Sequence, residues 1–152
     1  MLPLYAIEVN MPFLSNVLST GKMKRRARKV PKYFGDHSGT SGWTTSGYGS
    51  IALQAPYIRI SSASRGEGAA TYSITVENGV KYRFIIHLYT TSDTSNEIRL
   101  GTSADDDAYA TLTGAAQTFT GSFVASHTSL RVKAVANASK MLRIGKILIE
   151  EL

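Results

Sequence analysis

The 152-residue sequence contains no cysteine. That removes a disulfide framework, a thiol nucleophile and every cysteine-based metal site. Histidine is nearly as scarce: His37, His87 and His127 are the only three, and none stands in HxxxH or HExxH spacing. The sequence therefore predicts no catalytic residues, no histidine metal site and no enzyme activity. Tryptophan occurs once, at Trp43. No apolar run reaches the ~20 residues that a membrane-spanning helix needs, so no membrane partner is expected. Residues 1–20 are fairly apolar, but no basic segment precedes them and no small-residue cleavage site is evident, so no signal peptide is predicted. The glycines at 35, 39, 42, 47 and 49 neither follow a strand nor open a helix, which excludes a phosphate-binding loop.

What is present is unevenly distributed. The chain carries 17 Lys and Arg against 11 Asp and Glu, a net charge of +6. Seven of the cations, Lys22, Lys24, Arg25, Arg26, Arg28, Lys29 and Lys32, lie in the first 32 residues, where Glu8 is the one acid. The remainder is balanced, ten against ten. Nearly all of the net charge thus belongs to an arm, residues 1–37, with seven cations against Glu8 and Asp36, and the body, residues 38–152, is close to neutral with ten cations against nine acids. Such an asymmetry points to an arm that grips a partner.

The arm reads in three parts. Leu2, Leu4, Tyr5 and Ile7 punctuate a short apolar stretch suited to adding as a strand to a partner's sheet edge. Residues 11–19 are predicted to form a short helix, with Asn10 as N-cap, Pro12 in the first turn and Gly21 at the end. Phe13, Leu14, Val17 and Leu18 make one apolar stripe on it. A helix this short is marginal alone, so the stripe needs a surface, on its own domain or on another subunit. Residues 22–32 then offer electrostatic contact to phosphate or to an acidic protein surface. No aromatic residue interleaves 22–28, so base stacking is not expected there.

Beyond residue 38 the helix signals vanish. Gly, Ser and Thr punctuate runs of Val, Ile, Tyr, Phe and Thr. Strands are predicted at 42–45, 50–54, 57–61, 70–76, 80–90, 97–101, 108–112, 117–125, 129–136 and 141–150. The firmest hairpin is expected at Asn78-Gly79, since Asn-Gly supplies the positive φ of tight turns. Tyr82, Phe84, Ile86 and Leu88 fall on one face of the following strand; Phe119, Gly121 and Phe123 share a face later. Gly145 marks a bulge, because Leu142 and Ile144 precede it and Ile147 and Ile149 follow at shifted parity. The prediction is an all-β, jelly-roll-like two-sheet sandwich carrying an N-terminal arm with a short helix.

Several pieces, in order, resemble a known group of domains. They are Trp43 after a Gly/Ser turn, residues 78–84 (NGVKYRF), Leu100-Gly101-Thr102, residues 119–125 (FTGSFVA), Leu130, and the closing residues 147–152 (ILIEEL). Over residues 40–152 the chain resembles the carbohydrate-binding-module-like jelly rolls of tailed-phage virion proteins. Where those domains typically carry Asp-Asn before the last strand, this chain has Gly145-Lys146, so no ligand or ion site carries over at that point. The resemblance implies a virion structural protein made in the host cytoplasm, first of all a capsid decoration (cement) protein. Its arm would fasten a surface jelly roll to other virion proteins, the major capsid protein or tail and portal-region subunits. A homo-oligomer is expected. A tail or fibre subunit, a carbohydrate-binding module for host glycans, and a nucleic-acid-binding protein acting through the arm stay open as alternatives.

Two sets of body residues carry candidate chemistry. Trp43, Tyr48, Tyr57 and Tyr89 are candidate glycan-contacting rings, although a lone strand tryptophan more often packs in a core. Asp105, Asp106 and Asp107 could offer oxygens to a structural Ca²⁺, a role the resemblance allows. Adjacent side chains diverge, however, and the spacing of a calcium loop is missing, so a solvated turn is expected and no cofactor is assigned.

Overall fold

The computed structural model describes residues 33–35, as backbone, and residues 39–152. The predicted helix, the apolar residues Leu2 to Leu18, the basic cluster 22–32 and His37 lie outside the described residues. Among the described residues there are eleven strands: β1 (Tyr33–Gly35), β2 (Trp43–Gly47), β3 (Gly49–Gln54), β4 (Tyr57–Ser62), β5 (Gly68–Thr75), β6 (Lys81–Thr91), β7 (Glu97–Gly101), β8 (Ala110–Thr113), β9 (Gln117–Val124), β10 (Ser129–Ala136) and β11 (Met141–Glu151). They form two antiparallel sheets. One runs β3-β4-β11-β6-β9, with β1 added along the second half of β11; the other runs β2-β5-β10-β7-β8. Each strand predicted from the sequence has its counterpart here, with ends moved by a few residues. In addition, residues 33–35 of the segment assigned to the arm pair with Gly35↔Ile147 through Tyr33↔Ile149.

Alternation drives this arrangement. In β6, Tyr82, Phe84, Ile86 and Leu88 are buried while Lys81, Arg83, His87 and Tyr89 face solvent. Ile58 and Ile60 of β4, Leu130 and Val132 of β10, and Ile144, Ile147 and Ile149 of β11 complete one core between the sheets. A period of two puts one apolar face on every strand, and two such faces stack into a sandwich. Tyr82 is wholly buried, yet its hydroxyl accepts the Glu77 N–H at 2.9 Å, so its polar end is satisfied. Buried Asn96 is likewise used up: its amide donates to Thr91 Oγ1 and to the Met141 carbonyl, each at 3.0 Å, and its oxygen accepts the Asn137 N–H at 2.9 Å.

Gly121 is set by its cross-strand neighbour. It pairs with Phe84, and a Cβ there would lie 2.6 Å from the Phe84 ring. Gly121→Val is therefore expected to lower stability by about 1–3 kcal/mol through overpacking. Urea unfolding would measure it, and an unchanged midpoint would mean that the ring moves aside at no cost.

The Asn78-Gly79 turn is not a hairpin. Gly79 does take φ +80°, but β5 and β6 belong to different sheets. The turn is a corner between the sheets. Gly79 N–H donates to the Ala125 carbonyl at 2.7 Å and Val76 N–H to that of Thr128 at 3.0 Å, so the corner is tied to the β9–β10 crossover beside it. Positive φ serves any tight reversal. Here the apolar faces of β5 and β6 can be buried together only by stacking across the core. Among the described elements, only the β3–β4 and β7–β8 connections stay within one sheet. That wrapping is jelly-roll-like.

Candidate functional site

The outer face of the six-stranded sheet carries an aromatic and cationic cluster. Tyr57 starts β4, directly after the Ala55-Pro56 turn, and pairs with Gln54 of β3. Arg59 follows on the same face, opposite Arg143 of β11. Beyond Arg143 the ladder to β6 shifts twice. Arg143 pairs with Thr90, Ile144 with Leu88 and Lys146 with His87, which leaves Tyr89 and Gly145 as extra residues on their strands. The expected bulge at Gly145 thus has a second one facing it. Bulges of this kind re-aim side chains, and here the outcome is an outward ring at Tyr89 beside a strand position with no side chain.

The rings meet across β11. Tyr57 and Tyr89 stack with centroids 4.8 Å apart and planes 22° from parallel. The Arg143 guanidinium lies 5.2 Å from the Tyr57 ring centroid, a cation–π distance. Arg143 Nε donates to Gln54 Oε1 at 3.0 Å, which fixes the guanidinium. His87 meets Tyr89 edge-on at 6.2 Å. A Cβ at Gly145 would come within 3.3 Å of His87 Nδ1, so the glycine leaves room for the imidazole. Tyr89 remains 51% exposed. The result is a sheet face bearing an accessible ring, with Gln54, Arg59, His87 and Arg143 as polar groups on the same face.

The four rings singled out from the sequence therefore divide. Tyr57 and Tyr89 come together. Trp43 sits on the other sheet, packed against the core and against Tyr72 at 5.5 Å, so its ring is spent on packing. Tyr48 is exposed in the β2–β3 turn, lying over Gly66. Sequence reasoning missed Gln54, Arg59 and Arg143. Their signal was an outward position in an alternating strand, but the pairing that joins β4 to β11 spans more than eighty residues and leaves no local mark.

Of the three aspartates, Asp106 turns away from its neighbours, while Asp105 and Asp107 approach each other. The loop folds back over the end of β7, and Asp106 reaches Lys133 Nζ at 2.8 Å and Arg131 at 3.5 Å. Among the described residues no group of three or more metal-ligating side chains converges. Beside this network runs a groove of about 310 Å³, lined by Thr44, Ser46 and Thr71 and by Asp106, Arg131 and Lys133. Its charged groups pair with one another, and it contains no aromatic ring.

The Asp106 network has a pH signature. The hydrogen bond from Lys133 holds the Asp106 carboxyl below its ordinary value of 3.8, helped by the charges of Lys133, Arg131 and Arg99 and opposed by partial burial. A carboxyl lowered on folding contributes stability that is present above its unfolded value and lost as pH falls through the folded one. Asp106→Asn is thus expected to flatten the acid loss of stability below about pH 4. Asp107 acts in the opposite sense, because Asp105 raises it as hydrogen-bond partner and like charge. Urea midpoints taken between pH 6 and pH 2 on the two chains would check this; parallel curves would remove Asp106 from the acid transition.

His127 lies in the β9–β10 turn, with Nδ1 3.1 Å from Ser126 Oγ, which itself contacts the Tyr109 hydroxyl at 3.0 Å. His87 and His127 stand on different elements and share no partner. No helix among the described residues is long and apolar enough to cross a membrane.

No protein-family model matches the sequence, and no curated protein matches it significantly. Solved structures do match in fold. The N-terminal tandem of family 22 carbohydrate-binding modules of Paenibacillus barcinonensis Xyn10C is similar over 82% of this chain, with TM-score 0.57 and 12% identity. The second N-terminal cellulose-binding domain of Cellulomonas fimi β-1,4-glucanase C is similar over 82% of this chain and 96% of its own length, with TM-score 0.53 and 13% identity. This chain has a carbohydrate-binding-module-like sandwich fold. The enzymatically active domain of bacteriophage CBA120 tailspike protein 4 also matches over 82% of this chain, with TM-score 0.51 and 10% identity. The chain spans 45% of the length of the Paenibacillus protein and 21% of the tailspike domain.

Proposed function

We propose that this chain is a glycan-binding protein without catalytic activity, and that the Tyr57–Tyr89 face is its ligand surface. The observation that carries this reading is the half-exposed Tyr89 ring, backed by Tyr57 and accompanied by hydrogen-bonding side chains on the same sheet face. A sugar ring presents apolar C–H groups on its faces and hydroxyls at its edge. An aromatic face with polar groups around it is complementary to both. The likeness to carbohydrate-binding modules supports the same reading at the level of fold. Calorimetric titration of the full chain with oligosaccharides tests it. Binding that is lost in Tyr89→Ala with the fold retained is expected; binding indifferent to Tyr57 and Tyr89 would move the site elsewhere.

The likeness to a tailspike domain favours a second element of the reading, a tail or fibre subunit of a phage virion that attaches to host glycans. Nothing in the likenesses favours the capsid decoration role over this one. In either location the arm, residues 1–37, would join the sandwich to virion partners or to further copies of itself. Deleting residues 1–32 is expected to leave a folded, soluble sandwich that no longer enters particles. A truncated chain that still enters them would remove the arm's anchoring role. Nucleic acid as the arm's partner would appear as a steep salt dependence lost on neutralising Arg25, Arg26 and Arg28.

A further inference from the structure

We infer that the glycan bound by this face is an acidic one, a sugar chain bearing an oxyanion that seats between Arg59 and Arg143. The inference rests on the glycan-binding reading and names the ligand class of the same face. Arg59 and Arg143 are direct cross-strand partners, so two cationic side chains leave the sheet from adjacent positions. Like charges placed directly opposite in a sheet are destabilising. Among the described residues neither arginine has an ion-pair partner: the acceptor held by Arg143 is the neutral Gln54 amide. Arg59 Nε is buried and finds no hydrogen-bond acceptor at all. A buried, unused donor on a cation is costly.

The rest of the molecule shows that such an arrangement is avoidable. Arg83 pairs with Glu150 on the same face, Arg99 with Glu97, and Arg131 and Lys133 with Asp106. On the outward positions of the six-stranded sheet, Glu150 is the carboxylate present among the described residues, and Arg83 holds it. The two guanidinium groups without an ion pair therefore share a face with the stacked Tyr57–Tyr89 pair. An oxyanion on the ligand would offset the two like charges and accept from the terminal N–H groups in the forked geometry that arginine offers. Carboxylate and sulfate substituents share this chemistry.

The test titrates the full chain with three hexasaccharides: a hexagalacturonate, a sulfated heparin fragment and neutral cellohexaose. The proposal expects one of the anionic chains to bind at least about tenfold more tightly than cellohexaose, as charged hydrogen bonds would give, and to weaken as salt is raised. Tighter hexagalacturonate assigns a carboxylate; tighter heparin assigns a sulfate. Arg59→Met and Arg143→Met should each abolish that preference. Arg59→Met should also keep or raise the thermal midpoint, since it removes the like-charge contact and the unused donor; this separates lost binding from lost folding. Cellohexaose binding as tightly as the anionic chains overturns the proposal and leaves the glycan-binding reading standing. Anionic binding that survives both arginine changes and disappears when Lys24, Arg25, Arg26 and Arg28 are changed to Gln also overturns it, because the arm would then be the anion site. Binding to none of the three sinks both readings.

Discussion

Tyr89→Ala is expected to lower glycan affinity by about thirtyfold or more, the scale of a binding hot spot near 2 kcal/mol, while the chain stays folded. Tyr89 sits on the extra position of a bulge, so its ring leaves the line of the ladder and stands 51% exposed. Little of the core depends on it. What the folded state loses is the stack on Tyr57, worth about 0.5–1.5 kcal/mol. Tyr57→Ala should weaken binding too, but with a larger loss of stability, because that ring also receives Arg143 and lies nearer the sheet. Tyr89→Phe keeps the stacking surface and should retain most of the affinity. Titration and a thermal melt on the three variants separate the outcomes. Equal affinity of Tyr89→Ala and the parent would show that the exposed ring is not a ligand contact.

Among the described glycines, Gly101→Ala should add the most damaging methyl group. The expected loss is about 3 kcal/mol, at the upper end of overpacking, or a fall in thermal midpoint on the order of 10 °C. Gly101 ends β7, and a Cβ there would run into the backbone of Asp105 and Asp106. Backbone cannot rotate away as a side chain would. The loop is also held at its base: Thr102 N–H donates to the Asp105 carbonyl at 2.6 Å, while Thr102 Oγ1 accepts the N–H groups of Ala104 and Asp105 at 3.2 and 3.0 Å. Pushing the loop off the strand breaks these bonds and withdraws Asp106 from Lys133 and Arg131. In the Gly101→Ala background, Asp106→Asn should then have little further effect, a non-additivity expected of residues in one network. A midpoint within about 2 °C of the parent would mean that the loop re-docks without strain.

The same glycine shows how far a sequence can be read. Leu100-Gly101-Thr102 stood out as a piece of a familiar pattern, and its physical content is a strand end that a loop must cover closely. The pattern located the residue, but the backbone that lies over it became visible only in the folded chain. Asn78-Gly79 is the converse. Its positive φ followed from local chemistry and is present, yet the hairpin expected around it is a corner between sheets.

The sequence by itself determined ten of the eleven described strands, the buried face of those with clear alternation, such as β6 and β11, and the bulge at Gly145. Each of these is local: alternation has a period of two, glycine has no Cβ, and Asn-Gly accepts a left-handed turn. It also located all of the net charge in the first 32 residues. Only the tertiary structure decided which strands pair, and therefore which rings meet. Tyr57 and Tyr89 are 32 positions apart in sequence and come together because β11, near the end of the chain, lies between their strands. Arg59 and Arg143 became neighbours by the same pairing. Trp43 was a candidate sugar platform, although a lone strand tryptophan more often packs in a core, and its ring lies against Tyr72 on the strand beside it. A face is a two-dimensional arrangement. A strand read alone gives one dimension of it, and strand order, fixed by how the whole core closes, gives the other.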